Sequence, residues 1–400
     1  MNKRWIILLS IGFLLISSGC WNNRELGELG IAAALGIDKD GDQFIATVQL
    51  VNPAEISSLK GSGTSAPIIV YSEKGKTLFE AIRRLTTTAP RKTFYPHLRV
   101  VVIGEELAKD GFSKSLDLLV RDQELRTDFF ILIAKGGKAE DIVSIMPPVE
   151  KIPAQNMYTK LETSERAWAP TLAITLADLV EQMVVPGVQP VITGVEIVGD
   201  AEIGKKMENV QSSDPASRLH FTSFAIFNND KLQGWLSEAE SKGVNYINGK
   251  VKSTIVVVPC PKGEEGNISI ELLRTKEKRK STVSGGQPQI NITLKAEGNL
   301  GDTSCPIDLT KEDTIKEIEK LAGEDIKMKM TEAVQVAKEY QLDVFGIGQD
   351  IHRSNPKYWK KVEKEWDQQF ASMPIELKTK VAIRKIGKRS NSFISELDGR

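Results

Sequence analysis

Apolar and polar positions recur along the chain in blocks whose period changes from two to about 3.6 and back. Phe44, Ala46, Val48 and Leu50 alternate with polar or small residues, the period of a half-buried strand. The run Leu29 to Gly36 precedes them across the turn Asp38-Lys39-Asp40-Gly41, so the two form a hairpin. Ser57 to Pro67 is rich in Ser and Gly and predicts a mobile loop. Ile68 to Tyr71 is strand-like, and Leu78, Ile82 and Leu85 recur at helical spacing. The β-branched and apolar runs Leu98 to Ile103 and Phe129 to Ala134 predict buried strands. An amphipathic helix from Leu107 to Val120 lies between them, and a short helix from Ala139 to Ile145 stops before Pro147-Pro148. A helix from Leu172 to Met183 and a strand from Val191 to Val198 complete this half. Strands alternating with helices imply an α/β or α+β layered domain.

Residues 204–218 are polar and poor in apolar side chains, and they predict a linker. Beyond them, Phe221 to Phe227 and Leu232 to Trp235 flank an Asn228-Asn229-Asp230 turn as a second hairpin. Strand-like runs follow at Val251 to Val258, Ile268 to Arg274 and Ile290 to Ala296, which predicts an antiparallel sheet. Thr310 is the expected N-cap of a helix about 40 Å long that carries Ile315, Ile318, Leu321, Ile326, Met330, Val334 and Ala337. Gly346 and Gly348 break that period, a short helix starts at Ile351-His352, and Pro356 begins another with Trp359, Val362, Trp366 and Phe370. A last strand spans Ile375 to Ile386. The expected class is α+β, a mixed α/β chain of several small sheet-and-helix domains. Its parts are 1–19, 20–203 with room for two subdomains, the 204–218 linker, a 219–388 domain whose antiparallel sheet is covered by one long helix, and a polar tail, 389–400.

The first 19 residues stand apart. Lys3 and Arg4 precede an apolar run from Trp5 to Ile16, then the small residues Ser17, Ser18 and Gly19, then Cys20. This is a signal peptide with a lipobox-like ending, although Ser17 holds the place usually taken by Leu. The apolar run falls short of the about 20 residues a spanning helix needs. Cys20 is therefore the expected acylated N-terminus, and acyl chains contribute about 0.8 kcal/mol per buried methylene. Of the other two cysteines, Cys260 and Cys305, each precedes a proline at the end of a strand-like run. Outside the cytoplasm they can pair, or stay as two buried thiols.

Charge and chemistry narrow the function further. Lys plus Arg equals Asp plus Glu at 53 each, so no field favours nucleic acid. The three histidines, His97, His220 and His352, lie far apart in the sequence, with no His or Cys at metal-ligand spacing. No nucleophile elbow, phosphate-binding loop or zinc-type cysteine pair occurs, so no catalytic, cofactor or metal assignment is made. Phe345-Gly346-Ile347-Gly348 follows a helix and lacks a third glycine, which makes it a turn using glycine's positive φ. Trp359, Trp366 and Phe370 fall on one helical face, either as core or as a candidate partner interface. Arg274 to Lys280, RTKEKRK, lies between two strand runs and is expected at a solvated hairpin end, with anionic lipid as its functional alternative.

Three separated blocks resemble one family. Cys20-Trp21-Asn22-Asn23-Arg24-Glu25-Leu26 with Leu35-Gly36-Ile37-Asp38 is similar to the mature start of the spore germination lipoproteins of the Ger(x)C type, the C subunits of nutrient germinant receptors. Ala225-Ile226-Phe227 with Asp230-Lys231-Leu232 and Gly234-Trp235-Leu236 fits the same pattern. So do Asp343, Phe345 to Gly348, Pro356, Trp359, Trp366, Phe370 and Ile383 to Gly387. The resemblance implies a mixed α/β fold, no catalysis, and a lipoprotein on the outer face of the spore inner membrane. It implies two integral-membrane receptor subunits, A-type and B-type, as partners. The rival from another class is a solute-binding lipoprotein serving a transporter, which would need two doubly wound lobes joined by crossing strands.

Overall fold

A computed structural model describes residues 29–53, 55, 65–284 and 287–385. The leader, Cys20, the polar tail and residues 57–64 of the expected Ser/Gly loop lie outside the described residues.

The first half runs β1 (Leu29–Asp40), β2 (Gln43–Val51), β3 (Ile68–Gly75), α1 (Leu78–Thr88), β4 (Lys92–Phe94), β5 (Val100–Ile103), α2 (Glu105–Asp110), α3 (Ser113–Arg121), β6 (Phe130–Ala134), α4 (Ala139–Ser144), α5 (Pro153–Ala167), α6 (Leu176–Val184), β7 (Val191–Gly199), α7 (Ala201–Gly204), α8 (Met207–Gln211), β8 (Ser217–Asn228) and β9 (Lys231–Trp235). These strands form one nine-stranded sheet in the order β3-β2-β1-β5-β6-β7-β8-β9, with β4 beside β1. The centre, β1-β5-β6-β7, is parallel, and antiparallel hairpins close both sides.

Helices cover both faces of that sheet. On one face Leu35, Ile37, Val101, Ile103 and Ile131 meet Leu85 of α1, Leu107 of α2, Leu119 of α3 and Leu179 of α6. On the other, Ala34, Val100, Val102 and Leu132 meet Ile142 and Val143 of α4 and Met157 and Leu161 of α5. A parallel strand covered on both sides has no polar face, which is why Val100 to Ile103 and Phe129 to Ala134 read as unbroken apolar runs. The expected helix Leu107 to Val120 is two helices, because α2 ends at Gly111 (φ 115) and the Asp230 carboxylate accepts a 3.0 Å bond from Ser113 N at the start of the next. Helix α5, to which the periodicity assigned no element, is fixed by Pro153 in its first turn and by the buried Gln49 amide oxygen accepting from Ala154 N at 3.1 Å.

The polar stretch 204–218 carries α8 and the start of β8, and β8 pairs with β7 over Val191–Gly199. The second hairpin is thus the edge of the first sheet. Asn209 explains why this stretch is ordered: its buried amide donates to Met146 O at 2.8 Å and Ser217 O at 3.0 Å, and its oxygen accepts from Ser217 N.

The second half contains α9 (Glu238–Ile247), β10 (Thr254–Pro259), β11 (Asn267–Ser284), β12 (Gln287–Thr303), α10 (Glu312–Glu339), α11 (Ile347–Ser354), α12 (Pro356–Val362), α13 (Trp366–Ser372) and β13 (Ile375–Lys385). The sequence reading missed α9, whose capping box Ser237/Glu240 is its signal. Strands β10, β11 and β12 are antiparallel, but β13 returns across α10 and runs parallel to β12, so the sheet is mixed at one edge. Val256, Ile270, Ile292 and Leu294 pack on Ile318, Ile326 and Met330 of α10, all fully buried. Each such side chain contributes about 2 kcal/mol by leaving water. The long helix is capped at Lys311, since the Thr310 hydroxyl bonds Asp308 at 2.6 Å instead.

Candidate functional site

The two sheets meet at the turn that follows α10. Asp343 is 1% exposed, and its carboxylate accepts four hydrogen bonds. Oδ1 takes Phe345 N at 3.2 Å and Ile347 N at 3.1 Å, while Oδ2 takes Gly348 N at 2.7 Å and the Trp366 indole Nε1 at 3.1 Å. The carboxylate thereby satisfies the orphan N–H groups at the start of α11. Burial still dominates: it pushes the Asp343 carboxyl up to about 6 against those donors and the nearby Arg279 guanidinium.

Arg279 reaches the same turn from β11. It donates to Ile247 O at 3.0 Å and to Phe345 O, and lies 3.2 Å from Asp350 and 3.5 Å from Glu277. Asn248 at the end of α9 donates to Val344 O at 3.0 Å. The first sheet arrives through the loop before β7: Gln189 N donates to Asp343 O at 2.9 Å, and the Gln189 side-chain oxygen accepts from Asn229 N at 2.7 Å. Gly187 (φ 72) lies so close that a Cβ there would stand 2.7 Å from Gly348 Cα. Fixed donors, a buried carboxylate and touching glycines make this a rigid junction that sets one half of the chain against the other.

The structure redistributes the residues singled out in the sequence. Trp359, Trp366 and Phe370 are 3%, 4% and 0% exposed. They are core and not a partner interface, because Trp359 and Trp366 pack on each other at 5.2 Å and Phe370 fills the space beside Phe345. Cys260 and Cys305 form a disulfide, their Cα atoms 5.7 Å apart, pinning the end of β10 to the chain just past β12. The RTKEKRK cluster is not a hairpin end. It lies within β11, and alternation turns Glu277 and Arg279 inward while Lys276, Lys278 and Lys280 face out. The histidines have separate neighbours: His97 beside Phe94, His220 3.3 Å from Glu196, and His352 stacked on Trp359. Among the described residues no group of three or more His, Cys, Asp or Glu side chains could hold a metal ion, and no helix is long and apolar enough to cross a membrane.

Asp343, Phe345, Gly346 and Gly348 stand in the sequence as a short Asp/Gly motif, whereas Arg279, Asn248, Gln189 and Gly187 carry no local signal and are brought to it only by the fold. An open cleft of about 330 Å³ beside α5 and β8 is lined by Lys135, Lys160, Trp168, Glu196 and His220.

With that architecture and junction in view, the chain belongs to the GerAC-type family of spore germination proteins, and its role lies in spore germination. The family described as "Spore germination B3/ GerAC like, C-terminal" matches residues 222–387, and "Spore germination protein N-terminal domain" matches residues 22–197. Spore germination protein KC of Bacillus subtilis (strain 168) is 30% identical, with 98% of each chain covered. Spore germination protein A3 of the same organism is 25% identical over 93% of this chain and 95% of its own. The crystal structure of the GerBC protein shares the fold, with a TM-score of 0.54 at 21% identity, covering 88% of this chain and 97% of that one.

Proposed function

We propose that this chain is the non-catalytic, lipid-anchored C subunit of a nutrient germinant receptor. It sits on the outer face of the spore inner membrane beside two integral-membrane subunits, and Cys20 is the acylated residue. The match of the two family descriptions to residues 22–197 and 222–387 carries this reading. The leader ending at Cys20 supports membrane attachment, since two or more acyl chains hold a protein that has no spanning helix among its described residues. The described architecture, one nine-stranded mixed sheet joined rigidly to one four-stranded sheet, does not present the two hinged lobes expected of a solute-binding lipoprotein.

Deletion of the gene is expected to abolish germination in response to at least one nutrient while growth stays normal. Cys20→Ala is expected to abolish incorporation of labelled palmitate and to move the protein out of the membrane fraction. Wild type that takes up no label refutes the anchor, and deletion spores that germinate normally with every nutrient, in a strain lacking paralogous receptors, refute the receptor role.

A further inference from the structure

The face of the second sheet turned away from α10 carries a lattice of exposed cations that no local ion pairing explains. Register places Lys276 of β11 opposite Lys295 of β12, and Lys295 opposite Lys380 of β13, so three lysines form one rung across three strands. The next rung is Lys278, Thr293 and Lys378, and the one after it Lys280, Asn291 and Glu376. All the lysines of these rungs are exposed. Strand and rung spacings of about 4.8 Å and about 7 Å put the rungs within a patch about 10 Å by 14 Å. Lys378 pairs with Glu376 at 2.8 Å, and Arg384 at the rim pairs with Glu297 at 2.7 Å. Lys276, Lys278, Lys280, Lys295 and Lys380 have no carboxylate within 4.0 Å among the described residues. Val257, 49% exposed, adds an apolar side chain to the same face of β10.

Like charges directly opposite one another destabilise a sheet, so three in a row is a feature that folding alone would remove. Guarding a sheet edge against aggregation does not account for it, because β11 and β12 are interior strands of the order β10-β11-β12-β13. The geometry points to this face as a docking surface for an anionic lipid bilayer, laid flat against the phosphate-bearing headgroups. Lysines are compact point charges on flexible stems, which suits a diffuse anionic plane; a specific acidic partner segment is better matched by arginine forks in a groove. The inference takes its setting from the membrane attachment proposed above but not its strength, because the lattice should bind lipid without any acyl chain.

The test uses the chain from Trp21 onward, unacylated, which keeps every described element. It is mixed with vesicles of phosphatidylcholine, or of phosphatidylcholine and phosphatidylglycerol in equal parts, and sedimented. Binding is expected only to the anionic vesicles and is lost at high salt. At about a fivefold gain per lysine near the surface, the triple variant Lys276→Gln, Lys295→Gln, Lys380→Gln should bind about 100-fold more weakly. That variant should also unfold at no lower temperature than wild type, since it removes a repulsive rung. Lys357→Gln, Lys360→Gln, Lys361→Gln, an equal charge change on α12, should bind as wild type does. Equal binding by wild type and the lattice variant overturns the proposal. So does an equal loss in the α12 variant, or binding to polyglutamate with none to the anionic vesicles. Palmitate labelling at Cys20 is scored separately, so failure of the anchor and failure of this surface are distinguishable.

Discussion

Replacing Asp343 with asparagine keeps the size of the side chain and removes the charge at the junction of the two sheets. In the folded state the carboxyl is raised from 3.8 to about 6, with burial as the largest cause. Between those values the folded chain holds more protons than the unfolded one, so stability falls as pH rises, and the loss is complete above about pH 7. A shift of this size corresponds to roughly 3 kcal/mol, about half of it developed between about pH 5 and about pH 7.5. In the variant that slope disappears. A constant cost of about 2 kcal/mol replaces it, because an amide NH₂ in place of Oδ2 faces the N–H groups of Gly348 and Trp366 with no acceptor. Urea unfolding of both proteins across this pH range gives the wild-type-minus-variant difference, which isolates the contribution of position 343. The expected difference shrinks as pH rises. A difference that is flat refutes the titration of Asp343, and one that grows with pH means that the four donors outweigh burial and hold the carboxyl low.

Two further outcomes follow from the same geometry. Closing a loop of 45 residues, the Cys260–Cys305 disulfide should stabilise the chain by about 4 kcal/mol. The denatured protein should show no thiol from this pair before reduction and two after it; free thiols before reduction would contradict the pairing. Gly187→Ala adds a Cβ at φ 72 that stands 2.7 Å from both Gly348 Cα and Trp359, and should cost about 3 kcal/mol. Gly41→Ala, at φ 58 with nothing within 4 Å, should cost only about 1 kcal/mol. Equal costs in urea unfolding would remove the packing argument for the junction.

Much of the fold was legible in the period of the chain. The β1–β2 hairpin, the buried strands β5 and β6, and helix α10 follow from local patterns, because burial on one or both faces writes itself directly into the spacing of apolar residues. Elements with a weak stripe were harder to see. Helix α5 fully buries only Pro153, Ala154, Met157 and Leu161 and leaves most of its other positions half-buried, so its period is faint. Residues 204–218 look like a linker because their order comes from one buried amide, Asn209, and not from an apolar stripe.

What the sequence by itself determined was the family and the mixed α/β class. The tertiary structure decided which side of each element is inside. It sent Trp359, Trp366 and Phe370 into the core, split RTKEKRK between an inward Arg279 and outward lysines, and brought Gln189 and Gly187 to Asp343 from more than 150 residues away. It also aligned Lys276, Lys295 and Lys380 into one rung. The physical reason is common to all of these: periodicity records that a side chain is buried or exposed, whereas the partner it meets is set by strand register and crossover, which are long-range choices with no local signature.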